Sequence, residues 1–367
     1  MRYTWRDMST LFEPLSFRTG LTIGNRVALA AMTNKQSNDD GTLGDDELHW
    51  LISRADGGFG LIFTCAAHVA KDGQGWQGEL GIWEDAHVPG LRRIADAMRE
   101  RGAATMAQLF HGGARADAEV SGQKPWTASE TATARAATDE DLARVIRQFG
   151  DAAVRAKSAG MDGVELHGAH GYLLTQFLSA TENQRTDSWG GSLENRARLI
   201  RAVVREVRAR TGPSFTVGVR LSPEDFGNAK GLDLDESIQT ARWLAEDGAD
   251  FIHLSLWRSE LPTKKRPEEH AVSLFRAALP TDVRIIVAGS VWTRGEADVL
   301  LGRGADIIAL GRSAIVNPDW PRRAKASTTT APFEPKRPPV TTAELVARGL
   351  SPRFAGYMGA WKGFVRD

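Results

Sequence analysis

Two histidines three residues apart, with a tyrosine two residues beyond, form the most chemically suggestive group in the chain. They are His167, His170 and Tyr172, within Gly163-Val164-Glu165-Leu166-His167-Gly168-Ala169-His170-Gly171-Tyr172. If Gly163–His167 is a strand, two hydrogen-bond donors and a phenol gather at its C-terminal exit. Such a trio can polarise a carbonyl and deliver a proton to the adjacent carbon. Taken alone, it is also what a metal pair or a loop of satisfied polar groups would contain. Zinc would want a third ligand, and Glu165 is poorly placed for that. It shares the His167 face but lies roughly 6–7 Å further down the strand.

The elements that must position this trio alternate between two periods. Candidate strands are Val27–Met32, Gly60–Ala67, Ala104–Phe110, Gly163–His167, Thr216–Leu221, Phe251–Leu256, Arg284–Ala288 and Ile307–Gly311. Between them lie helical patterns over Asp45–Asp56, His87–Arg101, Asp139–Ala159, Ser192–Thr211, Asp233–Asp247, Glu268–Ala278 and Thr293–Gly302. In the fourth, Leu193, Ala197, Ile200, Val203, Val204 and Val207 recur mostly at three- and four-residue steps. Gly160, Gly248 and Gly304 each follow a helix end, where a left-handed cap favours glycine. Asp139 and Asp233 stand where N-caps would.

Eight strands alternating with helices predict an α/β fold with a parallel sheet, closed into a (β/α)8 TIM barrel. An open doubly wound sheet is the alternative. Against it, Thr33-Asn34-Lys35-Gln36 follows the first strand where a Gly-x-Gly-x-x-Gly would be needed. Three segments fall outside the alternation. Leu11–Arg26 reads as a hairpin closing the barrel floor. Gly112–Thr138 reads as a lid-like insertion after strand 3. Residues 327–367 form a C-terminal tail, Thr- and Pro-rich over Ser327–Thr342, then a final segment whose Phe354, Tyr357, Trp361 and Phe364 fall at helical spacing. The whole of 1–367 reads as one domain.

Forty-six basic and forty-six acidic residues cancel, so no global field favours nucleic acid or an anionic membrane. Cys65 is the only cysteine, which excludes an intramolecular disulfide and any cysteine-built zinc or iron–sulfur site. It reads as a small packed residue. No apolar run approaches the ~18 residues of a membrane span, and Met1–Phe17 has no signal-like core. The expectation is a cytoplasmic protein acting on small molecules, with homo-oligomerisation left open.

A barrel enzyme keeps its chemistry at the C-terminal strand ends. There the chain offers Met32-Thr33, then Gln108 and Phe110 on one face, then Arg220. Gly289-Ser290 and Gly311-Arg312 follow the last two strands. Glycine N–H groups with Arg312 suit a phosphate. Gln108 can pair with a ring amide through its own donor and acceptor, and Arg220 can stabilise negative charge on a ring. Phosphate, polar heterocycle and anionic ring together describe reduced flavin mononucleotide (FMN).

The chain resembles the old yellow enzyme family of flavin-dependent ene-reductases from Leu11 to Pro318. The match is most specific over His167-Gly168-Ala169-His170-Gly171-Tyr172-Leu173-Leu174 and Gln176-Phe177-Leu178. Asn183, Arg185, Asp187, Gly190-Gly191, Ser192 and Glu194-Asn195-Arg196 follow at the family's spacing. The resemblance implies a barrel that binds FMN non-covalently. NADPH or NADH would reduce the flavin, which passes hydride to the β-carbon of an activated alkene in a ping-pong cycle. It implies that His167 and His170 hold the acceptor oxygen and that Tyr172 protonates the α-carbon. It places Thr33, Gln108, Arg220, Gly289, Ser290, Gly311 and Arg312 at flavin and phosphate contacts. Ala31, Met32 and Ala66 supply backbone near the ring. Phe110, on the Gln108 face, is read as covering substrate.

Ala31 departs from a usual proline, Trp189 from a usual tyrosine, and Lys35 from a substrate-contacting tyrosine found in one branch. The lone cysteine excludes the iron–sulfur branch. In some members a C-terminal arginine reaches a neighbouring active site, a role that Arg366 could fill. The competing readings are a same-family flavin reductase for nitro compounds, nitrate esters or quinones, a flavin barrel modifying RNA, and a metal-dependent hydrolase using His167 and His170. Zero net charge counts against the RNA reading.

Overall fold

In the computed structural model, which describes residues 10–328 and 332–367, the two periods resolve into a closed parallel barrel. Its staves are β1 Val27–Leu29, β2 Leu61–His68, β3 Ala104–Phe110, β4 Gly163–Gly168, β5 Thr216–Leu221, β6 Phe251–Ser255, β7 Arg284–Ala288 and β8 Ile307–Leu310. Strand β1 pairs with β2 (Ala28↔Leu61) and with β8 (Leu29↔Leu310), which closes the ring. A short ninth strand, Leu80–Gly81, pairs along the end of β2. The principal helices are α1 Asp45–Asp56, α2 Val88–Arg99, α3 Asp139–Ser158, α4 Arg198–Thr211, α5 Leu234–Glu246, α6 Ala271–Ala278, α7 Arg294–Gly302, α8 Trp320–Ala326 and α9 Pro352–Gly359.

Side-chain alternation divides the interior into two cores. Val164 and Leu166, Val217 and Val219, Ile252 and Leu254, Ile285 and Val287 join the large core shared with the helices. Phe63, Met106, Phe251, Ile286, Ile307 and Ala309 pack into a separate inner core. By the same period of two, Gln108, Glu165, His167, Arg220, His253 and Ser255 belong to the inner set. All six are buried. Polar groups are tolerated there only if they find partners, so these six must hydrogen-bond one another or a ligand.

The chain's N-terminal segment pairs Leu15–Ser16 with Thr22–Ile23 antiparallel, and Leu15, Phe17 and Ile23 extend the inner core. Arg18 reaches Asp250 at 2.7 Å, and Arg284 reaches the Ser16 carbonyl at 2.7 Å. These contacts lie at the N-terminal ends of β6 and β7, opposite the candidate chemistry.

Several boundaries differ from the sequence expectation for local reasons. The cap of α3 is Thr138, not Asp139. Thr138 is extended, its hydroxyl accepts from the Asp141 N–H at 3.2 Å, and the Asp141 carboxylate returns to the Thr138 N–H at 2.9 Å. The expected helix over Ser192–Thr211 is broken at Ala197 into Leu193–Arg196 and α4. Helix α6 begins at Ala271, because the His270 ring caps it by accepting from the Val272 N–H. Strand β1 ends at Leu29, leaving Ala30–Met32 as a loop. Gly160, Gly248 and Gly304 take φ values of +85°, +110° and +103°, as their cap positions require. In the C-terminal tail α9 stops at Gly359, so the aromatic face is split. Phe354 packs edge-on against Trp50 at 5.0 Å, whereas Trp361 is exposed. Residues 329–331 of the expected Ser327–Thr342 extension lie outside the described residues. Among the described residues no helix is long and apolar enough to cross a membrane.

Candidate active site

Backbone strain marks one rim of the barrel. Among the described residues the three non-glycine residues with left-handed φ are Lys35 (58°), His170 (64°) and Ser290 (59°). They follow β1, β4 and β7, all on the C-terminal side. Each costs about 1–2 kcal/mol relative to the right-handed form, and such strain gathers where function over-determines the backbone.

The two histidine rings meet edge to face, with His167 Nε2 and His170 Nδ1 separated by 3.2 Å. Their other nitrogens decide what those atoms can do. The Ala169 N–H donates to His167 Nδ1 at 3.3 Å, so in the neutral ring the proton sits on Nε2. His170 Nε2 lies 2.7 Å from Ser255 Oγ, which itself accepts from the Arg220 guanidinium at 3.0 Å. The serine hydroxyl can give its proton to His170 Nε2, which puts the ring proton on Nδ1, or accept from it on its second lone pair, which leaves Nδ1 to accept from His167 Nε2. In the first arrangement both rings carry an N–H at their facing edges. Two donors cannot satisfy each other, so they present a seat for one oxygen acceptor. Neutrality is enforced by burial first and by the charge of Arg220 second, both of which hold the two imidazoles well below their usual pKa.

Tyr172 stands beside this seat. Its ring lies 5.1 Å from that of His167 and 4.6 Å from that of Phe110, edge to face in both cases. Burial raises its pKa, with the Arg115 guanidinium opposing, so the group stays a phenol. Arg115 sits over the ring at 4.1 Å and donates to the His170 carbonyl at 2.7 Å, which fixes the turn between the two residues. Phe110 is fully buried, 5.8 Å from the His167 ring and 5.3 Å from that of Trp76.

A second polar cluster lies deeper. Gln108 is in register with Glu165 across β3 and β4, and its Nε2 donates to Glu165 Oε1 at 2.6 Å. His253 Nδ1 lies 2.5 Å from the other oxygen. Gln108 therefore has one amide proton engaged inside the protein. The second Nε2 proton and the carbonyl oxygen are left for a ligand. Arg220 reaches the Ala31 carbonyl at 3.4 Å, while its Nε is a buried donor without a partner among the described residues.

The remaining predicted residues fall into two places. Ala66 is buried on β2 beside Gln108, just past a register shift in the β2–β3 pairing. Met32 and Thr33 are partly buried on the β1 exit loop. Met32 reaches the exit of the neighbouring β8, since a Cβ on Gly311 would lie 3.5 Å from its sulfur. There Arg312 meets Ser290 Oγ at 2.5 Å, Gly289 gives its carbonyl to the Ser259 N–H, and Trp257 stacks on Phe226, with its ring 5.9 Å from Arg312. Trp83 packs on His87. Cys65 is buried, and burial pushes its thiol pKa well up. Lys35 lies 5.1 Å from the Tyr357 ring of α9, and Arg366 pairs with Glu344 of its own chain at 3.7 Å. Among the described residues no three His, Cys, Asp or Glu side chains are grouped to hold a metal ion.

The long specific run after Tyr172 is scaffolding. Asn183 donates to the Phe177 and Trp189 carbonyls, and Arg185 donates to the Ala128 and Ala137 carbonyls of the 112–138 segment. Arg196 ties the Gly191 carbonyl to Glu236. Sequence reasoning missed Arg115, His253 and Ser255. His253 and Ser255 did carry a signal, being polar residues two apart near the end of an apolar strand.

The donor set suits FMN. An oriented amide oxygen on Gln108 and an unpartnered guanidinium N–H on Arg220 match a ring edge that both donates and accepts. Arg312 and the strained Ser290 backbone match a phosphate. Comparison with known proteins agrees. A model of the NADH:flavin oxidoreductase / NADH oxidase family matches residues 10–330. The chain is 36% identical over 329 residues to the "Probable NADH-dependent flavin oxidoreductase YqiG" of Bacillus subtilis, covering 86% of this chain and 87% of that protein. It is 34% identical over 329 residues to an NADPH dehydrogenase of Bacillus licheniformis, covering 87% and 95%. The old yellow enzyme homologue from Zymomonas mobilis superposes with a TM-score of 0.80 at 27% identity, over 95% of this chain and 99% of that one.

Proposed function

The chain belongs to the NADH:flavin oxidoreductase / NADH oxidase family, and from that premise we propose that it reduces carbon–carbon double bonds activated by a carbonyl or nitro group. It is an FMN-dependent NAD(P)H oxidoreductase on a (β/α)8 barrel. FMN, when bound, would supply the hydride chemistry that links NADH or NADPH to the β-carbon. Ala31, Met32, Thr33, Ala66, Gln108 and Arg220 would hold the ring, and Gly289, Ser290, Gly311 and Arg312 the phosphate.

The observation that carries the substrate reading is the pair of facing imidazole nitrogens, His167 Nε2 and His170 Nδ1, 3.2 Å apart beside the Tyr172 phenol. An acceptor oxygen seated on both N–H groups gains negative charge as the alkene takes hydride. Neutral donors fixed in a dry site stabilise that charge without reorganising. Tyr172 gives its proton to the α-carbon, a transfer favoured because the enolate-like carbon is the stronger base. Phe110 closes over the acceptor, and residues 112–138, pinned by Arg185, act as the lid.

The test is direct. The purified protein is expected to be yellow, to bleach with NADH or NADPH under argon, and to recover colour with 2-cyclohexenone. Bleaching without recovery on any enone or nitroalkene would remove the substrate reading.

A further inference from the structure

Beneath the proposed ring site lies a hydrogen-bonded carboxylate–imidazole pair that the reaction does not use. Glu165 and His253 are both fully buried, on β4 and β6, separated by β5. They meet across β5, whose residue in register with Glu165 is Gly218; a Cβ there would run into the Phe251 ring at 2.3 Å, so glycine makes room for that ring. Glu165 Oε2 lies 2.5 Å from His253 Nδ1, and Oε1 accepts from Gln108 Nε2 at 2.6 Å. An ionised carboxylate only accepts, so the proton of the imidazole must be on Nδ1. That leaves His253 Nε2 as a buried acceptor, and it has no partner among the described residues. Arg220, one layer nearer the mouth, is in register with His253.

We propose that Glu165 and His253 are positioning residues that lock the Gln108 amide and temper the charge of Arg220, and so set the potential at which bound FMN is reduced. Both effects follow from geometry. With Nε2 held by Glu165, the Gln108 carbonyl oxygen cannot rotate away from the ring it would face. The carboxylate lies in the interior that also holds Arg220, so it subtracts from the field that stabilises an anionic reduced ring. The directions of the ionisations agree. Burial works against the Glu165 charge, but His253, Arg220 and Gln108 outweigh it and keep the carboxylate ionised, while burial keeps His253 neutral.

This inference rests on FMN occupying the mouth, but not on the identity of the alkene. Glu165→Gln removes the negative charge at nearly constant volume. It should tighten reduced FMN relative to oxidised FMN about tenfold, from one unit charge acting across roughly 10 Å at an effective dielectric of about 20. For a two-electron couple that is about +30 mV in midpoint potential. Dye equilibration on the holoenzyme reads this without any acceptor, so a failure of alkene reduction would leave the test intact. Glu165→Asp keeps the charge and should return the potential toward that of the unaltered protein. A purely structural role predicts lower melting temperatures in both variants with unchanged potentials, and that result would overturn the proposal. Should Glu165→Gln not fold, the unaltered chain gives an independent reading. Nitrogen-15 NMR should show His253 as a neutral ring protonated on Nδ1. A ring protonated on Nε2 alone cannot donate to Glu165 and would sink the pair.

Discussion

The two-donor seat predicts how the protein should hold a phenol. A phenolate oxygen mimics the charge that gathers on a reacting carbonyl, and His167 Nε2 and His170 Nδ1 are the donors placed to receive it. A hydrogen bond to a charged partner contributes about 1.5–3 kcal/mol net. Removing both, in His167→Ala/His170→Ala, should therefore cost about 3–6 kcal/mol, or roughly 10²–10⁴ in Kd. Single variants should each lose a smaller factor and should not add, because they share one anion. The double variant with asparagine keeps amide donors and should lose less. Titration calorimetry on the FMN-bound protein gives the Kd directly. It also gives the sign of the pH dependence. Both rings are held neutral by burial and Arg220, so the protein does not titrate on binding. The ligand must give up its own proton, with a pKa near ~10. Apparent affinity should rise about tenfold per pH unit below that value. Undiminished affinity in the alanine double variant, or affinity that falls as pH rises, would refute the reasoning.

Other outcomes follow from single residues. Ser255→Ala removes the hydroxyl that sets the His170 proton. Phenol binding should weaken about 5- to 20-fold, the loss of one hydrogen bond of about 1–1.5 kcal/mol or slightly more, and equal affinity would contradict the tautomer assignment. Cys65 should resist a thiol reagent in the folded protein and react stoichiometrically after denaturation, and rapid native labelling would show that the strand is not packed as described. Asp72 is held at a pKa of about 2, its burial outweighed by His111, Trp126 and Arg144. Its folded pKa lies below the unfolded value, so its contribution is full above about pH 4 and is lost as pH falls toward 2. The melting-temperature gap between the unaltered protein and Asp72→Asn should follow that course. A gap independent of pH would count against it.

What could be read from sequence was local. Eight apolar runs, the glycines at 160, 248 and 304, and the spacing of His167, His170 and Tyr172 all depend on neighbours within a few residues, and the barrel follows from their alternation. The first helix, Asp45–Asp56, and the strands Ala104–Phe110, Thr216–Leu221 and Arg284–Ala288 were legible to the residue. What escaped was set by register between distant strands. Glu165 looked like a poor metal ligand because only its own strand was in view. Its partner His253 lies 88 residues away on β6 and meets it only through the pairing of β4, β5 and β6. Ser255 and Arg115 act through atoms of His170, which no spacing rule reveals. Conversely, the stretch Asn183 to Arg196, which carries much of the resemblance in sequence, is a clamp of side chains on carbonyls. Its specificity comes from buried geometry, where each donor has one acceptor to reach.

The central claim is that Tyr172 is the proton source for a hydride acceptor seated on the two histidines. Stopped-flow kinetics of the Tyr172→Phe protein, with its two half-reactions read separately, test that claim most directly. Loss of a positioned acid should slow reoxidation by 2-cyclohexenone about 10²–10⁴-fold, while reduction by NADH or NADPH proceeds at nearly the original rate. Equal slowing of both half-reactions, or none in either, would contradict the account.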